Sequence, residues 1–540
     1  MNDNMGIFGE EKNMEKIRKS WRKESKIKRN FKSIRSLFDI LKGRELLDFY
    51  IDDNTFEDLN LEQVFCKIDR NQTTVGQQVL YSMLRTPLME EDKLKERDKK
   101  IRFFQEKYNE RMQVQLELSK IGKNKNDVFD MLWDDFKDQS AIRYLFYLLP
   151  LMNFMAIIWL IFSGFSINKL LLILTLVVVD IMFHYKTEVT LSTYMESMKY
   201  LGYLISGAGK LGKIKVDELK VYTEPLATSA KKCETVRKKA AAMSMKTGND
   251  FIDSFLEYIN IITFMKERAF YSVIKELNKL NVKEELKNIY FNIGELDALI
   301  SIASYREGME QDKYCVPQLK NNGRYINAKG IYHPMLENPV PNDITMDERG
   351  IILTGSNMAG KSTFLRTIGA NAVMAQTICT CNAKSYESSY FYTLSSISPE
   401  DNLLSGKSYY YGEVEGILRI IKKCNEEMPV LALIDEIFRG TNPVERVSAA
   451  TEILSYLDKN NALVLVATHD LELTKLLNDK YECYYFREDV KENEFIFDYL
   501  IKKGVSPTRN AIRILKHIGY PDEIVDNAEK RIAMGENIIK

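Results

Sequence analysis

Residues 355–363 are the feature that most restricts how this chain can fold. They read Gly-Ser-Asn-Met-Ala-Gly-Lys-Ser-Thr, after the apolar run 351–353 and ahead of a helical pattern over 363–375. A strand, a glycine-bounded loop and a helix in this order form a phosphate cradle, because loop N–H groups and the positive end of the helix dipole face one anion site. The sequence therefore predicts an α/β layer that binds a nucleoside triphosphate.

The spacing of this loop assigns roles to its residues. Lys361 would reach the β- and γ-phosphates, and the Ser362 hydroxyl would ligate Mg²⁺. A glycine-containing turn could match the spacing by accident, but the flanking strand and helix favour the binding site. The predicted nucleotide-binding residues of the loop are Gly355, Ser356, Asn357, Met358, Ala359, Gly360, Lys361, Ser362 and Thr363.

Two carboxylates follow a second apolar strand at 430–434. Asp435 would hold Mg²⁺ through water, and Glu436 would orient or deprotonate the attacking water. Acidic residues after a strand are individually unremarkable, but paired with an upstream phosphate loop they indicate a hydrolytic site. We therefore predict Ser362 and Asp435 as the metal ligands, and Glu436 and Lys361 as catalytic residues.

A third apolar strand, 462–467, ends in Thr468 and His469. A histidine at this point can contact the γ-phosphate, so His469 completes the predicted catalytic set. A lone histidine is more often structural, and the prediction depends on its position after the strand.

Ser408 opens a further helical pattern between the loop and the carboxylates. In isolation this stretch is a polar turn, but the order of the motifs is that of ABC-type ATPases. In those proteins a serine at a helix N-terminus contacts the γ-phosphate held by a partner subunit. Ser408 would therefore act in trans, and two nucleotide sites would close when two copies of the chain form a homodimer.

The motifs resemble those of one ABC subfamily, the MutS mismatch-repair proteins. The similarity covers the Asn-Met pair of the loop and the segments 333–337, 340–343, 435–441, 467–469 and 519–525, with a weaker match at 69–87. The resemblance implies ATP and Mg²⁺ as ligands, ATP hydrolysis, and binding of mismatched or branched DNA. It also adds Asn342 to the predicted nucleotide-binding residues.

The chain departs from that family at several points. Ala359 stands where the family usually has glycine, and Tyr409 and Tyr410 replace the Thr-Phe that commonly follows the serine. Residues 1–50 are too few for the family's mismatch-reading and connector domains, and no nuclease motif follows. We therefore expect a short form without mismatch-reading domains.

Two apolar stretches interrupt the middle of the chain. Residues 144–162 carry no charge and residues 170–183 carry only Asp180. A bilayer needs about 20 apolar residues per helix, so the pair predicts a transmembrane hairpin. Basic residues flank its outer ends at 143, 186 and 199, which places both ends in the cytoplasm. The alternative is a helical pair buried in a large core; in a membrane, Asp180 would need a partner or a proton.

Composition adds few constraints. Lys+Arg and Asp+Glu both number 76, so the net charge is zero and does not indicate a particular class of binding partner. The basic stretch 12–35 fits a polyanion or membrane surface as well as a solvated helix. Seven scattered cysteines indicate a reducing compartment, and the polar N-terminus excludes a secretory signal peptide.

We therefore expect an α/β fold with a C-terminal ABC-type P-loop ATPase domain, preceded by a mostly helical region with a hairpin. The predicted segments are a basic tail (1–50), a helical core-like segment (51–140), the hairpin (141–186), helical levers (187–315) and the ATPase domain with its helical dimerisation tail (316–540). The predicted function is an ATP-driven, DNA-binding MutS-like ATPase in the cytoplasm, anchored to the membrane. A membrane-tethered ATPase switch or scaffold with no nucleic-acid role is the alternative.

Overall fold

A computed structural model describes residues 2–124, 128–133, 140–242, 250–310, 312–355, 359–397, 409–439, 441–491, 494–506 and 518–534. The chain divides into two compact units. The helical unit comprises Met1–Leu46, Asp69–Ser82 and Ile101–Ser304, and the α/β unit comprises Leu47–Ile68, Met83–Lys100 and Tyr305–Lys540.

The helices, in chain order, are α1 (Asn2–Ser20), α2 (Phe31–Ile34), α3 (Ser36–Gly43), α4 (Asp53–Asp58), α5 (Leu61–Ile68), α6 (Thr74–Arg85), α7 (Glu91–Glu106), α8 (Tyr108–Ile121), α9 (Phe129–Trp133), α10 (Ser140–Ser163), α11 (Ile167–Leu211), α12 (Lys220–Lys232), α13 (Glu234–Ala242), α14 (Asp250–Thr263), α15 (Met265–Leu277), α16 (Leu280–Gly308), α17 (Lys361–Ile378), α18 (Tyr409–Lys423), α19 (Pro443–Lys459), α20 (Leu471–Leu476) and α21 (Asp522–Met534). The strands are β1 (Gln318–Lys320), β2 (Tyr325–Ile331), β3 (Asn342–Asp347), β4 (Gly350–Thr354), β5 (Ser385–Ser389), β6 (Tyr392–Ser396), β7 (Val430–Asp435), β8 (Ala462–Ala467), β9 (Tyr481–Lys491) and β10 (Glu494–Lys503).

The helical unit is organised around the long helix α11. Leu204, Ala208 and Leu211 recur at helical spacing and are buried, so the C-terminal part of α11 presents an apolar stripe. This part of the unit packs α11 against α8, α12 and α13, and α13 against α15. Within the segment 187–315 predicted as helical levers, the described residues lie mostly in helices α11 to α16.

Helices α10 and α11 form an antiparallel pair at the predicted hairpin. The segments Arg143–Ser163 and Ile167–Glu188 are long and apolar enough to cross a bilayer, yet only 17% and 11% of their most apolar windows are buried. Most side chains of these two windows are therefore exposed in the single chain. Asn153 donates a hydrogen bond of 2.6 Å to Asp180, so this carboxylate has the polar partner that an apolar setting requires.

The α/β unit contains two sheets. The larger has the strand order β10-β9-β4-β8-β7-β6 and is parallel except for the antiparallel β9–β10 pair. The smaller has the order β1-β5-β2-β3 and is mixed. Every residue of β4, β7 and β8 is buried, as expected for central strands with both faces covered.

The apolar runs predicted as strands and the helix after the phosphate loop are all present. β4, β7 and β8 contain the predicted runs, and α17 contains 363–375. Helix α17 packs against β7 and β8, so the helix that starts at the loop lies against the sheet that carries the other predicted site residues.

Candidate nucleotide-binding site

Strand order brings the predicted site residues to one edge of the larger sheet. β8 lies between β4 and β7, with Leu353 paired to Ala467 and Ala467 paired to Asp435. The carboxyl ends of these three parallel strands therefore end side by side, where α/β sheets bind their ligands. The ladder continues one residue further, because Thr468 N–H donates to Leu353 and Glu436 N–H donates to Ala467.

Glycine is required at both boundaries of the phosphate loop. Gly355 has φ +132° and Gly360 has φ +102°, a region that other residues rarely enter. Ala359 is buried beside Gly360. Ser356, Asn357 and Met358 lie outside the described residues, and their predicted contacts stay predictions.

Lys361 is the first residue of α17 and is completely buried. Its Nζ donates a hydrogen bond of 2.6 Å to Gly355 O and lies 3.3 Å from His469 Nε2. The ammonium group is thus held at the mouth of the loop, at the positive end of α17. Both charges favour an anion at this point.

The two predicted metal ligands touch each other. Ser362 Oγ donates a hydrogen bond of 2.5 Å to Asp435 Oδ2. A hydroxyl and a carboxylate oxygen are donors that Mg²⁺ prefers, and both converge at the start of α17. The residues therefore fit the cation that the phosphate loop implies.

Glu436 occupies a strained backbone position directly after β7. Its φ is +63°, which is uncommon for a residue with a side chain. Glu436 Oε2 lies 3.1 Å from Arg439 Nε, and Oε1 lies 3.4 Å from His469 Nε2. Burial, followed by the charge of Lys361, lowers the pKa of His469, so the imidazole is neutral at pH 7.

Two arginines that sequence reasoning missed position these groups. Arg439 contacts Glu436 and also donates a hydrogen bond of 3.1 Å to Asp435 O. Arg446 forms a bidentate pair with Asp470, at 2.8 and 2.5 Å, and so anchors the residue that follows His469. The signal available in the sequence was their position, shortly after the carboxylates for Arg439 and at the start of α19 for Arg446.

A cavity of about 460 Å³ adjoins the phosphate loop. Its lining includes His333, Leu336, Thr363, Phe486 and Tyr499, so apolar and aromatic groups dominate. A pocket of this size and character suits a flat heterocycle, such as the base of a nucleotide.

His333 contributes a buried imidazole to the cavity wall. Its Nδ1 accepts a hydrogen bond of 3.3 Å from Met335 N, which leaves the proton of the neutral ring on Nε2. That Nε2 is buried and has no hydrogen-bond partner among the described residues. Burial, and then the charge of Arg366, lowers the pKa of His333 to about 4.

Asn342 also lines the cavity, but its amide is used by the protein. Asn342 Nδ2 donates to Tyr499 O at 2.9 Å, and Asn342 Oδ1 accepts from Ile501 N at 2.7 Å. The side chain therefore joins β3 to β10 and shapes the cavity wall. Its predicted role as a nucleotide ligand stays a prediction.

Ser408 lies outside the described residues. The described part of helix α18 runs from Tyr409 to Lys423, so the helix predicted after Ser408 is present. Its action in trans needs a second copy of the chain and stays a prediction.

The fold and the site together define a P-loop ATPase-type domain. Residues 351–534 match the family described as MutS domain V. The DNA mismatch repair protein MutS of Petrotoga mobilis is 32% identical over 264 residues, which is 47% of this chain and 32% of that protein. The corresponding protein of Thermotoga maritima is 32% identical over 273 residues, 49% of this chain and 33% of that protein.

A eukaryotic relative shows the same partial coverage. The DNA mismatch repair protein MSH3 of Candida glabrata is 28% identical over 294 residues, 50% of this chain and 28% of that protein. The chain is therefore MutS-like, as its motifs predicted. It spans about a third of the length of the curated relatives it matches.

Proposed function

We propose that this protein binds ATP with Mg²⁺ and hydrolyses it at the edge of the larger sheet. The observation that carries the proposal is the convergence of Lys361, Ser362, Asp435, Glu436 and His469 on one point, from one helix and the ends of two strands. The adjoining cavity would hold the base.

Each residue has a distinct task in the proposed reaction. Lys361 binds the β- and γ-phosphate oxygens, and its charge offsets the negative charge that spreads over the γ-phosphoryl group as its bond to the β-phosphate oxygen breaks. Glu436 aligns the attacking water and accepts its proton, while Arg439 fixes the carboxylate. Ser362 and Asp435 would hold Mg²⁺, which would supply further charge neutralisation.

We further propose that two copies of the chain complete each other's sites. Ser408 of one copy would contact the γ-phosphate in the other, so ATP would hold the ATPase domains together and hydrolysis would release them. Movement of the domains would be transmitted to the helices predicted as levers.

We propose that the protein binds DNA, and the names of its MutS relatives support this proposal. All three relatives described above are named as DNA mismatch repair proteins. The test is electrophoretic mobility shift with duplex, mismatched and junction DNA at low salt, repeated at rising salt. We expect binding that weakens as salt rises, because phosphate contacts release counterions. No retention on any of the three DNAs would remove the DNA role.

The composite site is tested with Glu436→Gln. The variant should bind ATP and remain dimeric, because closure survives while water activation is lost, and hydrolysis should fall by about 10²–10⁴. Light scattering after gel filtration in ATP measures the dimer. Glu452→Gln, an exposed change on α19, is the matched control and should leave the rate unaltered. A monomeric Glu436→Gln protein in saturating ATP would contradict the composite site.

A second candidate is a membrane-tethered ATPase switch without nucleic acid. The observation that favours it is the exposure of large apolar side chains on α10 and α11, including Phe154 at 63%, Phe162 at 85% and Met182 at 69%. The surface of a soluble protein rarely has an apolar patch of this kind, whereas in a membrane the lipid would cover it. We propose that the pair crosses the membrane and that both ends lie in the cytoplasm.

Membrane fractionation separates the tethered form from a soluble one. The intact chain should require detergent, whereas a chain with residues 144–183 replaced by a short polar linker should be soluble. An intact chain that stays soluble without detergent would end the membrane proposal. ATPase rates measured with each DNA and with lipid vesicles then distinguish the two functions, since each predicts stimulation by a different ligand.

A further inference from the structure

Three carboxylates surround one buried histidine in the helical unit, far along the chain from the phosphate loop. His184 and Glu188 lie one turn apart on α11, Glu257 lies on α14 and Glu267 lies on α15. The His184 side chain is 2% exposed, while Glu188 and Glu257 are 43% and 41% exposed. The imidazole at the centre of the cluster is therefore buried, while two of the carboxylates around it are partly exposed to solvent.

Glu267 orients the imidazole. His184 Nδ1 lies 2.7 Å from Glu267 Oε1, and Glu267 is itself 1% exposed. A carboxylate on Nδ1 keeps the proton there and leaves the Nε2 lone pair free to bind a cation. Glu267 Oε2 is buried and has no hydrogen-bond partner among the described residues, so the protein groups alone leave the cluster unsatisfied.

The carboxylate oxygens of Glu257 and Glu188 lie as far from His184 Nε2 as two ligand atoms of one metal ion lie from each other. Nε2 lies 3.4 Å from Glu257 Oε1 and 3.6 Å from Glu188 Oε2. These distances exceed the usual N–H···O hydrogen bond. Two N or O donors that share a tetrahedral metal at about 2.1 Å lie about 3.4 Å from each other. Ligand atoms of His184, Glu188 and Glu257 all lie within 4.8 Å of one another.

We propose that His184, Glu188 and Glu257 bind one divalent transition-metal ion, with Glu267 positioning the histidine. One imidazole and two carboxylates suit Zn²⁺, Mn²⁺ or Fe²⁺ better than Mg²⁺, which prefers oxygen alone. The charges agree with this assignment. Glu188, Glu257 and Glu267 carry three negative charges, and Lys266, which pairs with Glu257, offsets one of them.

The site would fasten three helices to one another. Its ligands come from α11 and α14, and its positioning residue comes from α15, so the ion would fix α14 and α15 to the helix that contains the second apolar segment. The proposal uses no residue of the nucleotide site and does not depend on ATP hydrolysis or on DNA.

The principal alternative uses the same geometry without a metal. A protonated His184 could be the cation that Glu188, Glu257 and Glu267 hold. The two differ in one measurable respect, since an imidazolium excludes a metal from Nε2. Measuring whether the chain binds a metal ion, and whether changes to the proposed ligands weaken that binding, therefore distinguishes a metal site from a protonated His184.

The test uses the full chain in detergent, stripped with a chelator and dialysed against Zn²⁺, Mn²⁺ or Co²⁺ without nucleotide. We expect mass spectrometry of the metal to give one ion per chain, and Co²⁺ to give the visible absorption of a low-symmetry site with a nitrogen ligand. Glu188→Gln and Glu257→Gln should each bind at least about tenfold more weakly, and Glu267→Gln about 10–100-fold more weakly. Glu188 and Glu257 are partly exposed, so their changes should leave the fold intact. Circular dichroism checks the fold of all three variants.

Two controls make the result specific. Glu224→Gln, an exposed change on α12, and Asp435→Asn, in the predicted Mg²⁺ site, should retain the ion. An intact chain that holds no stoichiometric metal, or one whose metal survives His184→Asn and Glu257→Gln alike, would overturn the proposal. The first of these results would favour the imidazolium.

Discussion

His333 makes stability depend on pH in a way that can be calculated. The ring is buried in the cavity wall beside Arg366, and its pKa is about 4. In the unfolded chain a histidine takes its proton near pH 6.5. Between these values the unfolded state holds a proton that the native state excludes. Stability is therefore complete above pH 6.5 and is lost as the pH falls toward 4.

The size of the effect follows from the two pKa values. Linkage between about 6.5 and about 4 gives a loss of about 2 kcal/mol between pH 7 and pH 5 from this residue alone. The perturbation is His333→Gln, which removes the titrating ring while keeping a polar side chain that can accept from Met335 N–H. The free energy of unfolding of the variant should therefore fall by about 2 kcal/mol less than that of the native chain between pH 7 and pH 5.

Two measurements check the reasoning. Urea unfolding of both proteins from pH 7 to pH 5 should show the native chain losing about 2 kcal/mol more than the variant. The chain has four histidines, so a ¹³C-histidine spectrum gives four signals, and the one absent from the variant should not titrate above pH 5. A His333 signal that titrates near 6.5, or equal losses in both proteins, would refute the argument.

Three further changes test other parts of the molecule. Lys361→Met removes a charge-assisted phosphate contact, so fluorescent ATP analogues should bind at least about tenfold more weakly, and unchanged affinity would contradict its assignment. Arg306→Met removes the 2.7 Å ion pair between Arg306 and the buried Asp98, and urea unfolding should show a loss of about 3–5 kcal/mol that adding Asp98→Asn partly reverses. In Gly212→Ala the new methyl group would lie 2.7 Å from the backbone of Ala227, so the thermal midpoint should fall by an amount equivalent to about 1–3 kcal/mol, and an unchanged midpoint would mean that α11 and α12 can separate.

Local signals in the sequence predicted the elements that carry the site. The apolar runs before Gly355, Asp435 and Thr468 appear as β4, β7 and β8, with boundaries that differ by at most one residue at each end. Short apolar runs bounded by glycine and polar residues have few alternatives, because they must be buried on both faces. The helical hairpin was predictable for the same reason, since its apolar residues are contiguous.

Contacts between distant segments could not be predicted in this way. The cavity around His333 and the use of the Asn342 amide by Tyr499 and Ile501 both depend on which strands are neighbours. The cluster at His184 is the clearest case, because Glu257 and Glu267 have no spacing relation to it in the sequence. Nothing in the residues themselves distinguishes these carboxylates from others on charged helices.

Local signals in the sequence identified the chemical groups of the predicted site: a phosphate loop, two carboxylates after one strand and a histidine after another. Their meeting depends on the tertiary structure, because the strand order places β8 between β4 and β7 and so brings Lys361, Glu436 and His469 into contact. The difference lies in the distance along the chain over which each kind of contact acts. Local structure follows from short apolar patterns and turns, whereas a site follows from the one strand order that buries all those patterns together.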